Sequence, residues 1–165
     1  MTLAELNAND RSVFACALGS IFEGSPWVAE RAWEARPFAT LEAMYDAMTS
    51  VVAAASPEEQ LALLRAHPDL GARAKMSDAS SREQERAGLD ALTRNELERL
   101  LTLNAAYREK FGFPFLYAVK GSTKHDILNA LERRLPSPRE IEHQEALRQV
   151  YRIARFRLEE VVGQP

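Results

Sequence analysis

The sequence predicts an all-α protein, about seven or eight helices in one domain spanning residues 1–165. Three observations carry that expectation. Apolar residues recur at three- and four-residue spacing almost throughout, the period of helices buried on one face. Ser or Thr followed three residues later by Glu marks helix starts repeatedly, twice with Pro in between. Runs with the period of two expected of half-buried strands are nearly absent.

The elements follow in order. The first apolar stripe is Val13, Phe14, Ala17, Leu18, Ile21 and Phe22. In "GSPWVAERAW", Ser25 is the expected N-cap and Pro26 the first helical residue, where a missing N–H costs nothing. Thr40 caps a helix carrying Leu41, Met44, Tyr45, Met48, Val51 and Val52. "SPEEQLALLRA" combines Ser56 as cap, Pro57 as first residue and Glu59 as the reciprocal partner of a capping box. That helix ends at His67-Pro68, since Pro pushes its predecessor out of the α region and brings no N–H. Residues 71–79 read as a loop, and Ser80 with Glu83 opens a further helix. Thr93 and Glu96 start another, expected to bury Leu97, Leu100, Leu101, Asn104 and Phe111 before Gly112 stops it. "FPFLYAVKGS" is the one irregular or extended stretch. Ser122 or Thr123 caps a short helix through Leu128 and Leu131. Ser137, Pro138 and Glu140 open a long final helix.

Composition narrows the function. The net charge is −3, so there is no basic footprint for nucleic acid. One cysteine, Cys16, allows no internal disulfide and fits a reducing, cytoplasmic setting. Cys16 lies in an apolar helix and reads as structural. The first ten residues lack a signal peptide's pattern, and no apolar run approaches the roughly 20 residues of a membrane span, so no membrane partner is expected. No metal site is expected either. Glu140 and His143 form a single E-x-x-H, whereas a bundle di-metal site needs two with further carboxylates.

Four places could carry chemistry. His67 sits at a helix end, whose partial negative charge favours an imidazolium. It either complements the helix dipole or is held there as an acid. Glu83 fits a capping box in Ser80-Ser81-Arg82-Glu83. That same helix start offers free N–H groups to an anionic or carbonyl-rich ligand, with the Gln84 amide beside them. Arg157 falls within the stripe Val150, Ile153, Ala154, Leu158 and Val161; its guanidinium either snorkels to the edge, pairs with an internal carboxylate or clamps a ligand, since an inward charge needs a partner. "FGFPF" breaks a helix beside an aromatic wall, which describes core packing or a small-molecule pocket.

In this order, "HPDLG", "SSREQERAGL", "LNAAYREKFGFPF" and "VYRIARFRL" resemble the 2-oxo-4-hydroxy-4-carboxy-5-ureidoimidazoline (OHCU) decarboxylases of urate breakdown. The resemblance covers nearly the whole chain, including "RPF" at Arg36. It implies a cofactor-free, helical, homodimeric enzyme that converts OHCU to (S)-allantoin and carbon dioxide, and a possible association with hydroxyisourate hydrolase. By motif, His67 matches the catalytic histidine and proton donor, and Glu83 the second catalytic residue. Pro68, the stretch Ser80, Ser81, Arg82, Glu83 and Gln84, the stretch Phe115, Leu116, Tyr117, Ala118 and Val119, and Arg157 match substrate-contacting positions. Two departures accompany the match: loop 71–79 is shorter than in relatives, and "LYAVKG" replaces a more apolar continuation. A helical protein-interaction module, or an enzyme of the same fold acting on a related ureido compound, is the alternative.

Overall fold

The computed structural model describes residues 1–70, 88–89 and 91–163. The expected loop at 71–79 and the expected helix start at Ser80 and Glu83 lie outside the described residues. Those described form an all-α structure of eight α-helices, one 3-10 turn and one isolated bridge between Thr2 and Gly163. The chain groups into two units, Met1–Ala66 with Tyr151–Pro165, and His67–Val150.

The first unit holds α1 (Leu3–Ala8), α2 (Arg11–Leu18), α3 (Trp27–Ala32), a 3-10 turn (Trp33–Ala35), α4 (Leu41–Ala53) and α5 (Pro57–Ala66). α3 packs against α2 and α4. Their inward faces bury Phe14, Leu18, Val28, Ala29, Ala32, Met44, Met48 and Val52. The Thr40 hydroxyl accepts the Ala43 N–H at 3.0 Å, as expected of its cap. The "RPF" motif ties this unit together. Arg36 stacks over the Trp33 ring and donates to the carbonyls of Asn7 and Asn9, while the Asn7 amide brackets the backbone of Phe38.

Three expectations need correction here. α2 stops at Leu18, so Ile21 and Phe22 are buried from a turn, and Val13 is exposed. Ser25 does not cap α3. Its buried hydroxyl donates instead to the Glu23 carbonyl at 3.0 Å, across a turn that Gly24 makes at a φ of 58°. A hydroxyl turned back on the preceding carbonyl is directed away from the helix N–H groups. Cys16 is exposed, on the outer side of α2.

The second unit holds α6 (Arg94–Phe111), α7 (Lys124–Arg134) and the first part of α8 (Arg139–Val161), whose last residues belong to the first unit. α6 packs against α7. Both begin with reciprocal capping boxes, Thr93 with Glu96 and Thr123 with Asp126. α6 ends at Gly112, with a φ of 79° that favours glycine. Its buried face is Leu100, Asn104, Tyr107 and Phe111. Leu101 was expected inside but is exposed, because it lies about 100° round the helix from Leu100. Leu97, in the first turn, is exposed as well, and Tyr107 takes the place expected of these leucines.

Glu96 links the two helix starts. Its Oε1 accepts the Thr93 N–H at 2.9 Å and the Lys124 ammonium at 2.8 Å. Chiefly through Lys124, then through Thr93, the carboxyl falls from the usual 4.5 to about 2. A carboxylate held below its unfolded pKa stabilises the fold fully above that value, and this is lost as the pH falls through the folded one. The link should therefore fade between about pH 4.5 and 2. Lys124→Met should move the acid-unfolding midpoint upward. Superimposable helical circular dichroism curves for the two proteins would show that the link contributes nothing.

Candidate active site

His67 owes its place to the preceding helix. Ser56 Oγ accepts the Glu59 N–H at 3.1 Å and the Ser56 N–H donates to Glu59 Oε1 at 3.3 Å, so α5 starts as the capping box predicts. α5 ends at Ala66, and His67 occupies the bend before Pro68. The imidazole is only 6% exposed, too buried for a group that merely decorates a helix end. Pro68 and Asp69 are half-buried and Leu70 is buried.

One face of α6 holds the residues that follow His67. Asn104 Nδ2 donates to the Leu70 carbonyl at 3.0 Å, and Arg108 Nη1 reaches both Asp69 oxygens at 3.1 and 3.2 Å. The Asp69 pair is substantially exposed, so the Asn104 bond is the stronger anchor. Asn104 Oδ1 is buried and accepts no hydrogen bond among the described residues.

The same face of α6 supports residues 113–119. Tyr107 meets the rings of Phe111, Phe113 and Phe115 at centroid distances of 4.5, 5.9 and 5.3 Å. Phe115, Leu116, Ala118 and Val119 are buried, and Tyr117 is half-buried. The Phe115 and Tyr117 rings stack at 6.0 Å, which puts alternate side chains on one side, as in extended chain. A buried, irregular backbone must find partners outside any ladder. Arg134 Nη1 donates to the Leu116 carbonyl at 2.7 Å, and the Ala118 N–H donates to Gln149 Oε1 at 2.9 Å.

Behind Arg134 lies a buried ionic cluster. Its Nε donates to Glu142 Oε1 at 2.7 Å, and Nη2 lies 2.5 Å from the same oxygen but off the hydrogen-bonding direction. The Tyr107 hydroxyl donates to that oxygen too, at 2.5 Å. Burial first, and then the Glu142 carboxylate, push the Tyr107 phenol up, so it remains a donor. The Arg134 guanidinium also lies 4.5 Å over the Phe115 ring.

These residues were missed in the sequence, although a signal was there. The stripe reading that singles out Arg157 can be continued back along α8, where Glu142, Ala146, Gln149, Val150 and Ile153 are all buried. Glu142 and Gln149 interrupt that stripe as Arg157 does. Arg134 interrupts the α7 stripe of Ile127, Ala130 and Leu131 in the same way.

In the first unit, Arg157 faces inward with its stripe and is 5% exposed. The required partner is a carboxylate. Nη1 donates to Glu23 Oε2 at 2.7 Å and to the Ser20 carbonyl at 3.3 Å, both from the turn after α2. One end of the expected stripe is corrected: Val161 is exposed, and Val162 is buried in its place.

The structure thus brings His67 and Pro68 into one unit with residues 115–119, and places Arg157 in the other unit. Ser80, Ser81, Arg82, Glu83 and Gln84 lie outside the described residues. Two shallow surface grooves, one along Asn95, Arg99 and Glu132 and one along Ile141, Glu145 and Arg148, contain none of the expected site residues.

Comparisons with known proteins agree with the motifs. The family model described as OHCU decarboxylase matches residues 7–159. The chain is 50% identical over 161 residues to the uric acid degradation bifunctional protein PucL of Bacillus subtilis, covering 98% of this chain but 33% of that protein. It is 47% identical over 161 residues to the 2-oxo-4-hydroxy-4-carboxy-5-ureidoimidazoline decarboxylase of Halalkalicoccus jeotgali, covering 98% of this chain and 92% of that one. A crystal structure of (S)-allantoin synthase superposes with a TM-score of 0.83 at 36% identity, over 98% of this chain and 54% of that one. The chain therefore spans a third of the bifunctional relative and nearly all of the Halalkalicoccus jeotgali one. The match of the family model over almost its full length means that this chain belongs to the OHCU decarboxylase family.

Proposed function

We propose that this chain is a carboxy-lyase that converts OHCU to (S)-allantoin and carbon dioxide, the third step from urate to allantoin. The supporting observation is family membership over residues 7–159. The burial of His67 is consistent with it. In the reaction the C–C bond to the carboxylate breaks, and its electrons pass into the adjacent imine of the ring. The imine nitrogen takes up a proton, leaving an enol; the enol hydroxyl then loses its proton and becomes a carbonyl as the former imine carbon is protonated, a net uptake of one proton. The substrate absorbs the charge itself, so the reaction requires no metal or pyridoxal cofactor.

His67 is the proposed acid that delivers this proton to one face. Glu83 is its proposed partner, polarising the imidazole or taking the hydroxyl proton. Pro68 and residues 80–84 and 115–119 are proposed to line the substrate. Arg157 is proposed to orient the leaving carboxylate by a charge-assisted bond. The proposal takes residues 1–165 as one catalytic domain, acting as a cytoplasmic homodimer and associating with hydroxyisourate hydrolase. No helix among the described residues is long and apolar enough to cross a membrane.

Chirality is the test. OHCU decays spontaneously to racemic allantoin, so only a catalyst produces a dichroic signal. Adding this protein to freshly generated OHCU should yield (S)-allantoin, seen by circular dichroism. Accelerated loss of OHCU without a chiral product, or no acceleration, would sink the proposal. Activity only on a related ureido acid would redirect it to another substrate of the same fold.

A further inference from the structure

We propose that Arg134 and Gln149, with Glu142 and Tyr107 behind Arg134, are positioning residues that present the Tyr117 edge of residues 115–119 to the substrate. The inference rests on the reading of this segment as substrate-contacting, and it names what holds the segment in place.

In extended chain, the N–H and C=O of one residue point to one edge, and those of the next residue point to the other. The Leu116 carbonyl and the Ala118 N–H therefore share an edge. The structure commits both to protein partners, Arg134 at 2.7 Å and Gln149 at 2.9 Å. Tyr117 belongs to the opposite edge, and no hydrogen bond among the described residues uses its N–H or C=O. Its side chain is tied down separately, with its hydroxyl 3.1 Å from Ser122 Oγ. One edge is thus clamped from behind, and the other offers a donor and an acceptor. That pair matches a ureido or imidazolone group, which presents N–H and C=O side by side.

The clamp is also costly in a way that a packing role does not require. Arg134 and Glu142 are 6% and 1% exposed, and a buried ion pair is often no more stabilising than apolar residues of the same volume. An apolar core could fill this space but could not hold the Leu116 carbonyl. Arg134 does so while Glu142 fixes its guanidinium and Tyr107 fixes Glu142. A planar, forked cation suits this task, because one face can bind a carboxylate while another nitrogen reaches a carbonyl.

The test separates holding from folding. The triple variant Arg134→Met, Glu142→Leu, Tyr107→Phe removes the whole polar unit and leaves no buried charge behind. It should melt at or above the wild-type temperature. Its kcat/KM for OHCU should fall by about a hundredfold, the scale of a misplaced contact, with KM carrying most of the change. Arg134→Lys, which keeps the charge but not the fork, should fall between the two. Gln149→Met is the independent arm: it should speed hydrogen exchange at Ala118 and raise KM, while the one unpaired N–H lowers the melting temperature by only a few degrees. A wild type that makes no (S)-allantoin removes the functional reading. A wild type that makes it, together with a folded triple variant and Gln149→Met that both keep native KM and kcat, overturns the positioning role alone. If the triple variant does not fold, Gln149→Met and Tyr107→Phe decide by the same criterion.

Discussion

His67→Asn should give a folded protein that makes (S)-allantoin at least about two orders of magnitude more slowly, the scale for loss of a positioned acid–base group. Asn is an ordinary residue at a helix end, so the stop before Pro68 survives. The side chain is smaller and the site buried, so a stability loss of about 1–2 kcal/mol is expected, within the range of single substitutions. Glu83→Gln provides the companion. It keeps a capping-box acceptor, so a purely capping Glu83 would cost less than about 1 kcal/mol and leave turnover alone. If His67 and Glu83 work as one acid–base unit, each single variant and the double variant should retain nearly the same low rate, because groups acting together are strongly non-additive. Ser80→Ala is the control, removing the hydroxyl of the cap expected from the sequence and sparing both proposed proton-handling groups. Single-turnover rates read by circular dichroism check all four. A His67→Asn protein that forms (S)-allantoin at the native rate would refute the assignment. Losses that multiply in the double variant would show that the two residues act separately.

The sequence carried the helical architecture well, because it is written locally. Capping at Thr40, Ser56 and Thr93 depends on residues three apart and forms as its pattern predicts, and of the two candidates Ser122 and Thr123 it is Thr123 that caps. The failures share a different origin. Ser25 lies beside Gly24, and a tight turn redirects its hydroxyl; nothing in "GSPW" announces that turn geometry. On α6, Leu101 and Leu97 lose their expected burial to Tyr107, because the helix turns its aromatic and amide side toward the core.

The site was legible in part for the same reason. His67 stands out because Pro68 ends its helix, and Arg157 because a charge breaks an apolar stripe. The partners that give those residues meaning are distant in sequence: Glu23 is 134 residues from Arg157, and Gln149 is 31 residues from Ala118. Charge patterning shows that a buried cation needs a carboxylate, but not which one. Nor does it distinguish Glu142, the buried partner of Arg134, from the exposed Glu140 two residues earlier on the same helix.

Arg157 offers the sharpest separation of structure from function, because a carboxylate partner in the protein, Glu23, is known. Arg157→Met alone strips the Glu23 carboxylate, itself only 12% exposed, of its guanidinium. Breaking a buried pair from one side costs about 3–5 kcal/mol, so this variant should melt well below the wild type, and its activity would be uninterpretable. Adding Glu23→Gln removes the stranded charge and should restore most of that loss. The double variant then asks the functional question cleanly. If Arg157 exists only to pair with Glu23, the double variant should be folded and fully active. If the guanidinium also grips the leaving carboxylate, the fold should recover while the Michaelis constant rises by about 10- to 100-fold, the equivalent of a lost charge-assisted hydrogen bond of about 1.5–3 kcal/mol. Glu23→Gln alone completes the cycle. It removes the charge of the 2.7 Å pair and keeps the contact of Arg157 with the Ser20 carbonyl, and a clamp relieved of that competition should bind substrate at least as tightly as the native protein does. Thermal melts and initial-rate kinetics on the three variants check the scheme. A stable double variant with native kinetics would assign Arg157 to the fold and leave the carboxylate to be oriented by other groups.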